Sequence, residues 1–197
     1  MSVICRHINY FLVPQRNPNN IDELVERSKK GDTQAFALIY DELVKPVYRY
    51  IYYRVDQQIA EDLTEEAFLK VWQNLSQYKK GKHPFSSWVF RIAHNLICDY
   101  YRKNRSSDEM HENMADPIAS RDPAFQVNVK FNQIKLRKAI QKLPEKYQEV
   151  IVLKYINDLS NQEIADAIGK SEGAVRTIQF RALQQLRSLL GSKREDF

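Results

Sequence analysis

Cysteine is scarce in this 197-residue chain: Cys5 and Cys98 are the two it has. They are too few for a disulfide framework and show no zinc-type spacing, so a reducing cytoplasm is the expected compartment. No stretch approaches the roughly 18 consecutive apolar residues that a membrane span needs. The first residues, MSVICRHINYFLVPQRNPNN, break their apolar patch with Arg6 and His7 and offer no signal-peptide core or small-residue cleavage site. Insertion into a membrane is therefore not expected. His7, His83 and His111 are scattered, and His94 with Cys98 makes half a metal site at i,i+4 spacing without a second pair. A structural role is expected for that pair, and no metal. There is no glycine-rich phosphate loop and no convergent set of catalytic groups, so no catalytic residue, cofactor or small-molecule substrate is assigned and the chain is not expected to be an enzyme. Sustained strand alternation is also missing.

Helical periodicity and localised charge fill the space these absences leave. Lys and Arg exceed Asp and Glu by only 30 to 25. The distribution is more informative than the total. From Lys79 to Arg105 seven basic residues stand against Asp99 alone, and from Ile134 to Arg194 twelve basic residues stand against six acids. Between these blocks, Ser106 to Gln133 carries five acids against Arg121 and Lys130. Clustered positive charge is the footprint of a polyanion partner, because neutralised phosphates release condensed counterions.

Ile21 to Lys29 reads as a short helix stopped by Gly31, and Asp32 is placed to cap the next one. That helix aligns Phe36, Ile39 or Tyr40, Leu43, Val47 and Ile51, with Pro46 marking a kink or break. After Asp56, Ile59 or Ala60, Leu63, Ala67 or Phe68, Val71 or Trp72 and Leu75 form a stripe. Asp62, Glu65, Glu66 and Lys70 then face outward. A polar loop from Tyr78 to His83 leads through Pro84 into a helix carrying Phe85, Trp88, Val89, Ile92, Leu96 and Tyr100, which ends in Tyr101-Arg-Lys-Asn-Arg105. The spacing of Trp88 with Phe85 and Ile92 predicts core packing for it.

Ser106 to Arg121 has the composition of a mobile linker. Asp122-Pro123 then opens a helix through Phe131, Ile134, Ile140 and Leu143, and Leu143-Pro144 restarts the pattern with Tyr147, Val150, Ile151 and Tyr155. The expected fold is all-α: two small helical domains joined by a flexible linker, the C-terminal one containing a helix-turn-helix. The expected divisions are a disordered extension at 1–20, a first domain at 21–105, a linker at 106–121 and a second domain at 122–197.

The helix-turn-helix falls between Ser160 and Leu190. Ser160-Asn-Gln-Glu163 is a capping box, Gly169 supplies a tight turn and Ser171 caps a second helix through Val175, Ile178, Ala182, Leu186 and Leu190. Ile164, Ala165, Ile168, Val175 and Ile178 are apolar where a bihelical unit must close. The second helix then offers Glu172, Arg176, Thr177, Gln179, Phe180 and Arg181 to a major groove, where Arg and Gln can read base edges.

Four stretches, in order, carry a family resemblance: Ala60-Glu-Asp-Leu-Thr-Glu-Glu-Ala-Phe-Leu-Lys-Val-Trp72, Phe85-Ser-Ser-Trp-Val-Phe-Arg-Ile-Ala-His-Asn95, Leu143-Pro-Glu-Lys-Tyr147 and Gly173-Ala-Val-Arg-Thr-Ile-Gln-Phe-Arg-Ala182. Together they resemble the extracytoplasmic-function (group IV) sigma factors of bacterial RNA polymerase, in the sigma-70 family, over about Ile21 to Leu190. The resemblance implies a first domain (region two) that holds core polymerase and captures minus-ten bases as single strand, and a second (region four) that reads the minus-thirty-five element as duplex. It implies partners in core RNA polymerase, through the clamp helices of the largest subunit and the flap, in promoter DNA and in an anti-sigma factor that can hold the chain at the membrane.

By the same resemblance, Asp62, Glu65 and Glu66 bind polymerase. Tyr78 and Asn95 lie near the captured minus-ten base, and Lys80, Lys82, Arg91, Arg102 and Arg105 supply the basic surface that unstacked DNA needs. Arg176, Thr177, Phe180 and Arg181 contact the minus-thirty-five element, with Ser171 and Gly173 near phosphates. The family commonly has Gln where Glu65 stands, and an acidic loop where this chain has Lys80-Gly-Lys-His83. Two other readings compete. One is a stand-alone helix-turn-helix regulator acting without polymerase; the other is an adaptor that binds protein through its helices and RNA through its basic patches.

Overall fold

The computed structural model describes residues 18–81, 83–104 and 133–191. Every regular element among them is helical. α1 begins at Pro18, within the stretch 1–20 expected as an extension, and runs to Lys29. The linker, Asp122-Pro123, Phe131, Lys82 and Arg105 lie outside the described residues.

Gly31 ends α1 with a φ of 92°, a conformation that side chains with a Cβ rarely adopt. Asp32 then caps α2 (Thr33–Tyr52), its carboxylate accepting from the Ala35 N–H at 3.0 Å and from Arg27 at 2.8 Å. Ile39, Leu43, Val47 and Ile51 are buried, and Ile39 rather than Tyr40 takes the inner face. The helix continues through Pro46, where a kink or break is expected. Pro46 is itself buried, so the stripe on both sides holds the helix together across the one missing hydrogen bond.

In α3 (Gln57–Asn74) both Ala67 and Phe68 are buried and Val71 takes the inner position, leaving Trp72 turned outward. A 3-10 turn, Leu75–Gln77, leads into the loop before α4 (Phe85–Asn104). Phe85, Val89, Phe90, Ala93, Leu96 and Ile97 fill the inner face of α4, while Trp88, Ile92 and Tyr100 pack half-buried at its margin. Each fully buried Phe or Ile contributes about 1.5–3 kcal/mol relative to exposure.

The second unit opens with α5 at 133–141 and continues in α6 (Glu145–Ile151). Periodicity predicts one stripe from Tyr147 to Tyr155, but the chain widens into a π-turn at Val152–Ile156, where the Asn157 N–H donates to the Val152 carbonyl at 3.1 Å. Asp158 follows with a φ of 54°, a left-handed position that Asp tolerates better than most residues. Then come α7 (Asn161–Ile168) and α8 (Glu172–Gly191). The two units do not stand apart. α7 lies along α4, and one continuous buried cluster runs from Leu24 to Leu186.

Candidate nucleic-acid interface

The turn between α7 and α8 is built as its sequence requires. Both halves of the capping box form: the Glu163 N–H donates to the Ser160 hydroxyl at 3.1 Å, and the Ser160 N–H donates to the Glu163 carboxylate at 2.8 Å. Gly169 adopts the left-handed conformation, φ 67° and ψ 36°. The Ala174 N–H donates to the Ser171 hydroxyl at 3.2 Å, which starts α8. Ile164, Ala165, Ile168 and Val175 close the angle between the helices, with Ile178 half-buried beside them.

That packing fixes which face of α8 points away. Ser171, Gly173, Arg176, Thr177, Phe180 and Arg181 are all exposed, and Phe180 is 64% accessible despite its large apolar ring. Arg176 pairs with Glu172 at 2.6 Å, and the Thr177 hydroxyl donates back to the Gly173 carbonyl at 3.0 Å. Gln179 is different: its amide donates to the Tyr155 hydroxyl at 2.6 Å, so the structure uses it internally.

The loop and α4 form a second, basic surface. Lys80 is exposed and 3.3 Å from Asp22, while Asn95 and Arg102 are exposed two turns apart on α4, with Arg102 on Asp99 at 2.8 Å. Tyr78 points inward instead. Its ring packs edge-on to Phe85 at 5.0 Å, its hydroxyl donates to the His83 carbonyl at 3.0 Å, and burial, then the carboxylates of Asp22 and Glu26, raises its pKa. Arg91 donates its Nε at 2.9 Å to the main-chain carbonyl of Asp166, and its Nη2 bonds the same oxygen.

A third surface lies on α3, where Asp62, Glu65 and Glu66 are exposed as their spacing predicts. Leu69 and Trp72, 55% and 41% accessible, sit on the same helix, and Trp72 stacks edge-on with Phe36 at 4.7 Å. Sequence periodicity misses this apolar component. Leu69 was the available signal, since it falls on the polar side of the stripe. An acidic face with exposed large apolar groups has the character of a protein contact.

Comparison with known proteins matches residues 39–107 to Sigma-70 region 2 and residues 133–186 to Sigma-70, region 4. The chain is 31% identical over 184 residues to the ECF RNA polymerase sigma factor SigW of Bacillus subtilis, a match covering 86% of this chain and 96% of that one. This chain belongs to the extracytoplasmic-function group of the sigma-70 family. A second relative of this sigma factor, the ECF RNA polymerase sigma factor BldN of Streptomyces coelicolor, is 36% identical over 171 residues, 85% of this chain and 65% of that one. Among solved structures, CnrH in complex with the cytosolic domain of CnrY shares the fold at 22% identity, with a TM-score of 0.68 over 88% of this chain and 99% of that one.

Where its two regions meet, the sigma factor encloses a polar cluster that its periodicity does not announce. Glu149 of α6 is 4% accessible and reaches into region two, where Arg54 lies 3.6 Å away and the Tyr50 hydroxyl donates to it at 3.3 Å. Arg54 also donates to Tyr50 at 2.6 Å, and His94 hydrogen-bonds the Glu149 carboxylate while lying 3.6 Å from the Cys98 thiol. His94 thus turns toward Glu149, with the exposed Cys98 beside it. Burial pushes the His94 pKa down, but bonds to Cys98 and Glu149 prevail and hold it at about 9. Burial raises Glu149, and His94 with Arg54 outweighs it, so its carboxyl sits below the usual range. Nearby, Arg137 of α5 lies 3.8 Å over the Tyr52 ring and donates to the Tyr52 and Val55 carbonyls at 3.1 and 2.9 Å. No helix among the described residues is long and apolar enough to cross a membrane.

Proposed function

We propose that this sigma factor binds core RNA polymerase in the cytoplasm and directs it to specific promoters, reading the minus-thirty-five element as duplex through α8 and capturing minus-ten bases as single strand on α4 and its preceding loop. The observation that carries this reading is the outer face of α8. Arg176, Thr177, Phe180 and Arg181 stand exposed on one side of a fully capped helix-turn-helix whose inner side is closed. Arg176 and Arg181 suit guanine edges, Phe180 suits a thymine methyl, and Ser171 and Gly173 at the start of the helix suit a phosphate.

For the minus-ten strand, Lys80, Lys82, Arg91, Arg102 and Arg105 supply phosphate contacts, with Asn95 as the polar base contact. Tyr78 joins them only if the loop rearranges, since its ring is buried in this conformation. Asp62, Glu65 and Glu66, with Leu69 and Trp72 beside them, form the surface for the polymerase clamp. A protein inhibitor of the anti-sigma kind fits the same reading. In another fold relative, the sigma factor RpoE from Bartonella quintana, the partner is the anti-sigma factor NepR. The domain limits 21–105 and 122–197 remain the working division of these two roles.

Run-off transcription with purified core polymerase on genomic DNA tests the reading and reveals the promoter together. Initiation from discrete sites that depends on this protein supports it. Tight, specific binding to duplex promoters by the protein alone, with no activity gained from core enzyme, identifies a stand-alone regulator instead.

A further inference from the structure

Helix α4 carries an exposed thiol that promoter recognition leaves unused. Cys98 shares one face of the helix with Asn95, one turn before it, and Arg102, one turn after it, and all three are exposed. Residues at these spacings stand about 5–6 Å apart at Cβ, so the thiol lies inside the stripe to which minus-ten capture is assigned. Its inner neighbour is the His94 ring, whose Nε2 is 3.6 Å from the sulfur. Burial pushes His94 down, but bonds to Cys98 and Glu149 outweigh it and hold it at about 9, so the imidazole is a cation at neutral pH. Behind it Arg54, with a side chain 2% accessible, feels the charge of Cys98 as well as that of Glu149, and its Nε has no hydrogen-bond partner among the described residues. In this cluster two cations, His94 and Arg54, stand against one buried carboxylate. A cation beside a thiol favours the anionic sulfur, the form that attacks disulfides.

We propose that Cys98 is a modification site for low-molecular-weight disulfides: His94 prepares its thiol for exchange, and the mixed disulfide that forms closes the exposed stripe of α4 to a DNA strand. This rests on the reading of α4 as part of the minus-ten surface. In the exchange the Cys98 thiol gives its proton to water and the thiolate attacks one sulfur of the disulfide. A new S–S bond forms as the old one breaks, and the other half of the reagent leaves as a thiolate. The Cys98 sulfur rises by one oxidation level and the departing sulfur falls by one, so no further oxidant enters. An adduct the size of glutathione carries net negative charge, which repels phosphates, and it covers Asn95 and Arg102 a single turn away on either side. A reducing thiol reverses the step, so the block lasts only while disulfides are present.

The test uses the full chain with Cys5→Ser, which leaves Cys98 as its single thiol. Oxidised glutathione is the probe, and mass spectrometry follows the adduct at neutral pH. The native chain is expected to form it about tenfold faster than H94Q in the same background, and about tenfold faster than the same chain unfolded in urea. Equal rates in the native chain and a folded H94Q overturn the site. The comparison with the unfolded chain decides the question if H94Q loses its helical circular dichroism. The modified protein is then freed of reagent, joined with core polymerase and assayed on a promoter found by run-off transcription. Transcription is expected to fall about tenfold and to return with dithiothreitol, while association with core enzyme in a labelled titration stays unchanged. A chain with Cys98→Ser, carried through the same treatment, is expected to match its own untreated form. Unchanged transcription by the modified chain, or loss of core binding along with it, overturns the block. If the unmodified chain starts at no promoter, the parent reading falls and the block with it, and the exchange rates still decide whether Cys98 is the modification site.

Discussion

The His94 imidazole and the Glu149 carboxylate hydrogen-bond across the boundary between the two regions, and Arg54 approaches the same carboxylate at 3.6 Å. One acid of region four thus answers two bases of region two inside a shared core.

This contact makes stability depend on pH in a definite direction. His94 rises from 6.5 to about 9 in the folded protein, so its contribution is complete below pH 6.5 and is lost as pH rises through about 9. Glu149 is lowered, so its contribution is present above the usual carboxylate range and fades in acid. The melting temperature of wild type should exceed that of His94→Ala most clearly near pH 6, and the gap should close above pH 9. A constant gap across that range, in a series of melts, contradicts the assignment.

Removing Glu149 should cost far more than removing a surface acid. Glu149→Ala leaves Arg54 buried without its acid, a change that typically destabilises by about 3–5 kcal/mol. Urea titration followed by circular dichroism measures it. Glu61→Ala, on the exposed side of α3, should change stability by less than about 0.5 kcal/mol.

On α8, Arg176→Ala and Arg181→Ala should each weaken binding to a cognate minus-thirty-five duplex by about 1–3 kcal/mol and relax discrimination at one position. Fluorescence anisotropy with polymerase holoenzyme reads both effects. Glu172→Ala should strengthen binding, since Glu172 now pairs with Arg176 at 2.6 Å. Promoter use unchanged in both arginine variants removes α8 as the reader.

The mixed face of α3 gives a test of polymerase binding. Leu69→Ala should weaken association with core enzyme by about 1 kcal/mol or more, as an apolar anchor does. Glu66→Lys should weaken it as well, and more at low salt than at high salt. Titration of labelled protein with core polymerase separates the two by their salt dependence.

Much of this molecule is legible from its sequence, because short-range chemistry governs those parts. Ser160 with Glu163, Gly169 and Ser171 each act within one turn of helix, and all form as the spacing requires. The exposed face of α8 follows from the same periodicity. Ambiguities between neighbours, such as Ile39 against Tyr40 or Val71 against Trp72, needed the neighbouring helix to settle which side chain turned inward.

Long-range relations were not legible in the same way. Glu149 sits beside Val150 and Ile151 in an apolar stripe, and nothing local says that its partners are Arg54 and His94. The resemblance sets Tyr78 beside a captured base, yet its ring packs on Phe85 and Trp88. Pro46 carries a local signal for a break that packing on both sides overrides. The π-turn at Val152–Ile156 likewise leaves no mark in a 3.6-residue pattern.

Arg91 bonds a main-chain oxygen, and no replacement at position 166 takes that oxygen away. The contact is therefore inherited with the path of the backbone and survives drift in the residues that decorate it. Only a change at Arg91 or in the course of α7 itself removes it.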